Sequence, residues 1–218
     1  MEILQQKPDV EQSLVTLFVR VAAKPACQQK AKDALLADVN GARTETENLK
    51  MELYKADNDP GSFYLFERWQ SQRALHDHFK QPYTQGAFEL QDQSLTEPIE
   101  MNYLEELWPV PTGYQKEQHR RLTTLIVPFE TWPQHSDAFV AYFKEFVPRV
   151  RKEPGNVEFH FHRVIGSDNR FVLYERWESQ QYLDAHNQLP STAALIVNTM
   201  PLLTKAVIDF VLFAKDIS

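Results

Sequence analysis

The chain has 218 residues, is 43% hydrophobic and 24% charged, and carries a formal net charge of −7, a profile ordinary for a globular protein. The acidic balance argues against a nucleic-acid partner, which needs clustered Lys and Arg. No apolar run approaches the roughly 18 residues that span a bilayer, the first residues lack the basic and apolar parts of a signal peptide, and the single cysteine, Cys27, excludes an internal disulfide, so no membrane partner and a cytoplasmic setting are expected.

In chain order, residues 1–13 read as a polar lead-in. LVTLFVRV (14–21) is β-branched and apolar and predicts a strand. A helix is expected over about 26–45, with Cys27 near its start as a partly buried structural residue. NLKMELYK alternates strictly and predicts a second strand, and FYLFERW, after the turn DNDPGS, a third. Ser71 then stands as N-cap before QRALHDHF, and IEMNYLEEL (99–107) reads as the closing strand. Residues 108–120, with two prolines, a glycine and many polar groups, read as a linker.

Beyond the linker the order repeats. LTTLIVPF (122–129) is a strand, and 135–151 a helix whose Phe139, Phe143, Phe146 and Val150 form one apolar stripe. NVEFHFHR and FVLYERW are strands, Ser179 caps QQYLDAHN, and VIDFVLFA (207–214) closes the unit. FYLFERW-Q-SQ returns as FVLYERW-E-SQ, and the same ungapped register pairs Pro25 with Pro133, Arg43 with Arg151, Asn48 with Asn156, His78 with His186 and Pro82 with Pro190. One small domain is therefore encoded twice, over 14–107 and 121–218.

Each unit reads β-α-β-β-α-β, the ferredoxin-like arrangement. Its strands are apolar on both faces: Val15, Leu17, Val19 and Val21 oppose Leu14 and Phe18. An antiparallel sheet with one wet face should alternate apolar with polar. The fold class expected is thus α+β, two units packed sheet to sheet as an intramolecular pseudo-dimer, with further homodimerisation left open.

The aromatic strand ending in Glu-x-Trp, followed by a Ser-led helix with Leu-x-x-His, resembles the antibiotic biosynthesis monooxygenase (ABM) superfamily of dimeric α+β barrels. The matching residues are Glu67, Trp69, Ser71, Leu75 and His78, and again Glu175, Trp177, Ser179, Leu183 and His186. The loop Glu153, Pro154, Gly155, Asn156 adds to the likeness. The resemblance implies an oxidoreductase, a cofactor-independent monooxygenase using molecular oxygen on an aromatic, phenolic or quinol-like small molecule. A non-catalytic ligand-binding or stress-associated protein, or an isomerase or degradative enzyme of a small metabolite, are the alternatives. Haem-degrading members carry an Asn in the first strand, which neither unit has, so the resemblance does not extend to that reaction.

His78 and His186 are the candidate catalytic residues, since a neutral imidazole can take the proton of a phenol; the competing reading is a helix-packing histidine. Glu67 and Glu175, on an apolar strand face, are either bases of raised pKa or paired with an arginine or a helix-borne donor. Trp69 and Trp177 either line an aromatic pocket or pack the core. Tyr54 and His162 are expected as further pocket residues. Glu158, His160 and His162 resemble a metal-binding edge only weakly, their counterparts Lys50, Glu52 and Tyr54 cannot repeat it, and neither metal nor cofactor is expected. Of the two pockets, the second is favoured for its aromatic and His content.

Overall fold

The structure, a computed structural model, describes residues 13–108, 110, 114–116 and 118–218. The lead-in and part of the linker expected from the sequence lie outside the described residues. In the first unit β1 (Val15–Ala22) leads through a 3-10 turn at Pro25–Cys27 into α1 (Gln28–Ala42), then β2 (Asn48–Ala56), β3 (Asp59–Trp69), α2 (Gln72–His78), α3 (Pro82–Phe88), α4 (Leu90–Gln93) and β4 (Glu100–Glu106). The second unit holds β5 (Thr123–Glu130), α5 (Ser136–Val150), β6 (Asn156–Val164), β7 (Arg170–Trp177), α6 (Gln180–Asn187), α7 (Pro190–Thr199) and β8 (Leu212–Asp216).

The eight strands form one closed barrel in the order β1-β3-β2-β8-β5-β7-β6-β4. Each unit alone is a four-stranded antiparallel sheet with two edges, and open edges expose unpaired backbone groups. Here β4 crosses to pair with β6 through Leu104↔Val164, Glu105↔Arg163 and Glu106↔His162. Symmetrically, β8 pairs with β2 through Tyr54↔Asp216, Lys55↔Lys215 and Ala56↔Ala214. The two sheets are thus sewn together at both edges as well as packed face to face.

Strand alternation then divides the core. Val15, Leu17, Val19, Val21, Phe63 and Leu65 meet the helices of the first unit. Leu125, Val127, Phe129, Phe171 and Leu173 meet those of the second, including the expected stripe Phe139, Phe143, Phe146 and Val150. The other strand face fills the barrel with Phe18, Tyr54, Tyr64, Phe66, Ile126, Val172 and Tyr174. At the barrel centre counterparts from the two units meet. Phe66 stacks on Tyr174 with ring centroids 3.7 Å apart, and buried Lys50 donates to Glu158, its own equivalent 108 residues on.

Two local features depart from the sequence reading. The residues after α2 and α6 fold into further helices, two of which begin with proline, Pro82 and Pro190, at the first turn, where its missing N–H is not needed. The last strand begins at Leu212 rather than at 207, because residues Val207–Asp209 form a 3-10 turn. Leu125 pairs with Phe213 where Leu17 pairs with Tyr103, so two additional residues precede β8 and turn over the sheet instead of joining it.

Candidate active site in the second unit

On β7 the side chains of Phe171, Leu173, Glu175 and Trp177 point toward the helices, and Glu175 lies between Leu125 of β5 and Phe159 of β6. A carboxyl group in such surroundings is costly to ionise, and burial pushes Glu175 up to about 7. Its donor is the indole of Trp177, whose Nε1 gives a 2.8 Å hydrogen bond to Oε2. Trp69 holds Glu67 in the same way at 3.1 Å, and burial likewise raises Glu67 to about 7. The partner is therefore neither an arginine nor a helix-borne group but the tryptophan two residues along the same strand.

His186 sits at the end of α6 and is almost fully buried. Its Nδ1 lies 2.7 Å from Glu153 Oε2, on the loop after α5. Its ring leans on Trp177, with centroids 4.8 Å apart, and on Phe146 and Phe159. Nε2 has no hydrogen-bond partner among the described residues. The two tryptophans are fully buried behind the glutamate and histidine of their units, off the cavity wall.

A cavity of about 410 Å³ opens against this face, within the range of small-molecule sites. Its wall is apolar (Leu125, Val127, Phe143, Phe146, Leu173, Ile196) apart from Glu175, His186, Asn187 and two threonines. Val207 and Ile208 of the 3-10 turn close one side. The exposed Met200, Ile208 and Phe213 make its rim apolar too.

The equivalent space in the first unit, beside Glu67 and His78, is only about 30 Å³. Phe79 and Phe88 meet there edge to face at 5.4 Å, where the second unit has Asn187 and Ile196. Ile99 and Met101, which lead into and lie on β4, fill the rest. His78 is also held on both nitrogens. Nδ1 is 2.7 Å from Glu45, Nε2 is 3.6 Å from Asp38, and the Thr84 hydroxyl lies 3.3 Å from Nε2. Phe146 replaces Asp38 in the second unit, and the Thr192 hydroxyl turns away to the His186 carbonyl at 2.8 Å.

The structure separates Tyr54 and His162 from this site. Both lie on the barrel interior, the opposite face of their strands. Tyr54 bonds the Tyr174 hydroxyl at 2.7 Å. His162 donates Nδ1–H to the Val172 carbonyl at 3.2 Å, and burial lowers it to about 3, so the ring is neutral. The Glu158–His160 edge also faces inward, with Glu158 Oε1 taken by Lys50 and Arg176 and His160 Nδ1 by Glu106 at 2.7 Å. Burial alone would raise Glu106, but the hydrogen bond and charge of His160 hold it down at about 2.

Among the described residues one other triplet, Glu52, His119 and Asp216, brings potential ligand atoms within 4.8 Å of one another. Guanidinium groups already supply positive charge there: Arg176 lies 3.2 Å from Glu52 and Arg43 lies 3.0 Å from His119.

Fold and site together define an α+β barrel with an open, mainly apolar pocket that carries a buried histidine and a buried carboxyl group. The chain belongs to the antibiotic biosynthesis monooxygenase family, which matches it twice, over residues 14–90 and 123–196. It is 30% identical over 73 residues to "Uncharacterized protein sll1783" of Synechocystis sp., a match covering 34% of this chain and half of that protein's length. The structure of FN1347 from Fusobacterium nucleatum subsp. nucleatum, named "Putative monooxygenase", superposes with a TM-score of 0.77 over 94% of this chain and 93% of that one, at 13% identity. An anthrone oxidase-like protein gives 0.65 over 95% and 92%, at 14% identity. Identities this low show a shared fold, and in both cases one polypeptide covers the full double unit. No helix among the described residues is long and apolar enough to cross a membrane.

Proposed function

We propose that the second unit is a cofactor-independent monooxygenase site for a phenolic or quinol-like aromatic, and that the first unit is a structural half. The observation that carries this reading is the 410 Å³ apolar cavity with His186 and Glu175 on its wall. A planar ring fits the Phe- and Leu-lined interior. The free Nε2 of His186 takes the phenolic proton, while Glu153 holds Nδ1 in its protonated tautomer. The phenolate is then electron-rich enough to reduce oxygen directly. A C–O bond forms at a ring CH carbon ortho or para to the phenolate oxygen, the peroxide takes up a proton, and loss of water from the hydroperoxide leaves a carbonyl: one oxygen atom enters the product and the other departs in water. Glu175, raised to about 7 by burial and so about half protonated near neutrality, can in its protonated form donate a hydrogen bond to the oxygen on which charge develops. Membership of the monooxygenase family supports the same reading.

The test is oxygen uptake by the intact chain with a panel of hydroquinones, anthrones and naphthols. Uptake that falls at least a hundredfold in His186→Ala and stays within twofold in His78→Ala is expected. Uptake by neither wild type nor variants, with ligands still bound, would replace this reading with that of a binding protein.

A further inference from the structure

His186 lines two spaces. On one side is the apolar cavity; on the other is a surface cleft of about 380 Å³ formed by Glu153, Pro154, Gln181, Tyr182, Ala185 and Leu189. Apart from His186 and Glu175 the cavity wall offers no ionisable group, and it is largely hydrocarbon. Glu153, behind the cavity wall and partly exposed, gives the proton held by His186 a path to water that does not cross the apolar rim. We infer that His186 and Glu153 form a proton exit that carries the substrate's proton through the cavity wall into the cleft. This inference rests on the monooxygenase reading and assigns Glu153 a role in it.

The overall reaction releases no net proton, so the steps balance when the proton that leaves by this path is matched by one taken back from water by the peroxide before it loses water. The phenol O–H bond breaks as Nε2–H forms. The imidazolium releases the proton on Nδ1 across the 2.7 Å hydrogen bond to Glu153 Oε2. Glu153, whose side chain keeps 17% of its surface exposed, passes that proton to water in the cleft. A ring flip or a second exchange resets the tautomer.

The sequence of the second unit favours transfer where that of the first blocks it. Glu45 accepts from Tyr83 at 2.9 Å as well as bonding His78. Ser191 stands in place of Tyr83 in the second unit, and Glu153 keeps His186 as its hydrogen-bond partner among the described residues. Asp38, which lies 3.6 Å from the far nitrogen of His78, is replaced by Phe146, so that nitrogen of His186 is left for substrate. The titratable groups facing His186 are Glu153 from the loop after α5 and Glu175 from β7; its ring neighbours Phe146, Phe159 and Trp177 are uncharged.

Glu153→Gln preserves the shape and a hydrogen bond to Nδ1 but cannot accept a proton. With 4-nitrophenol as a coloured probe, ionisation of the bound phenol is followed by absorbance after a pH jump. In Glu153→Gln, affinity within threefold of wild type is expected, relaxation slowed at least tenfold, and partial recovery of the rate on adding imidazole buffer. Glu153→Asp, which keeps the carboxylate, should recover more of the rate than Glu153→Gln, and circular dichroism checks that each variant is folded. Equal relaxation in wild type and Glu153→Gln, with the phenol bound and ionised in both, would overturn the exit while leaving the base assignment standing. Failure of wild type to bind or ionise the probe would remove the base assignment and the exit with it.

Discussion

Glu67 and Glu175 occupy equivalent places and are displaced in the same direction, both raised by burial to about 7 from 4.5. Below about 4.5 the native and unfolded carboxyls are both protonated. Between there and about 7 the native state holds the proton that the unfolded state has lost, so stability falls as pH rises through this window and then levels off. Each group accounts for up to about 3 kcal/mol of that loss. The Glu67→Gln/Glu175→Gln double variant should therefore lose less stability than wild type between pH 4.5 and 8, measured by urea unfolding; parallel pH curves would contradict the protonated-carboxyl description. The sequence made the glutamates and histidines visible, because duplication set them in register. It did not show which pocket is open, since the deciding residues, Phe79 against Asn187 and Phe88 against Ile196, lie outside the shared motifs. Tyr54 and His162 were misplaced because side chains alternate along a strand, and both lie on the barrel side. Glu153 was in view only as part of a loop signature, although Glu45 at the matching position carries the same histidine contact.

At the scale of elements, the strands and the long helices were legible from apolar periodicity, whereas the start of β8 was not. VIDFVLFA has strand composition, but the two additional residues before β8 shift the register and turn Val207 and Ile208 over the cavity. The open pocket is thus made partly by strand displacement and partly by smaller side chains. Replacing Phe79 by Asn and Phe88 by Ile in the first unit should enlarge its space, at a cost of about 2–5 kcal/mol for the large-to-small changes. Titration with an apolar fluorescent dye such as ANS should then show two sites per chain where wild type shows one; an unchanged stoichiometry would mean that Ile99 and Met101 alone keep the first site shut. The turn before β6 gives a second handle. Gly155 has φ +74°, and an added Cβ would overlap the Tyr182 ring. Gly155→Ala should lower stability by about 1–2 kcal/mol from backbone strain alone, and by more through displacement of Tyr182 from the cleft, read as a drop in melting temperature.

At the scale of the molecule, closure of the barrel depends on two short seams, β4 with β6 and β8 with β2, each of three residue pairs in register. Apolar patterning on both strand faces announced that the sheets cover one another; it could not announce the seams, which depend on where each fourth strand ends. The pairing of Lys50 with Glu158 at the centre has a consequence for how such a protein can be assembled. A barrel made from two identical halves must place any residue on its axis opposite a copy of itself. Two first halves would bury ammonium against ammonium, and two second halves would set carboxylate against carboxylate with only the Arg176 of each half to offset it. Fusion lifts that restriction, and the chain has used the freedom to install an opposite-charge lock that only unlike halves can close. Produced as separate polypeptides split between 108 and 120, the halves should each fail to self-associate and should recombine one to one on mixing, as read by size-exclusion chromatography with light scattering.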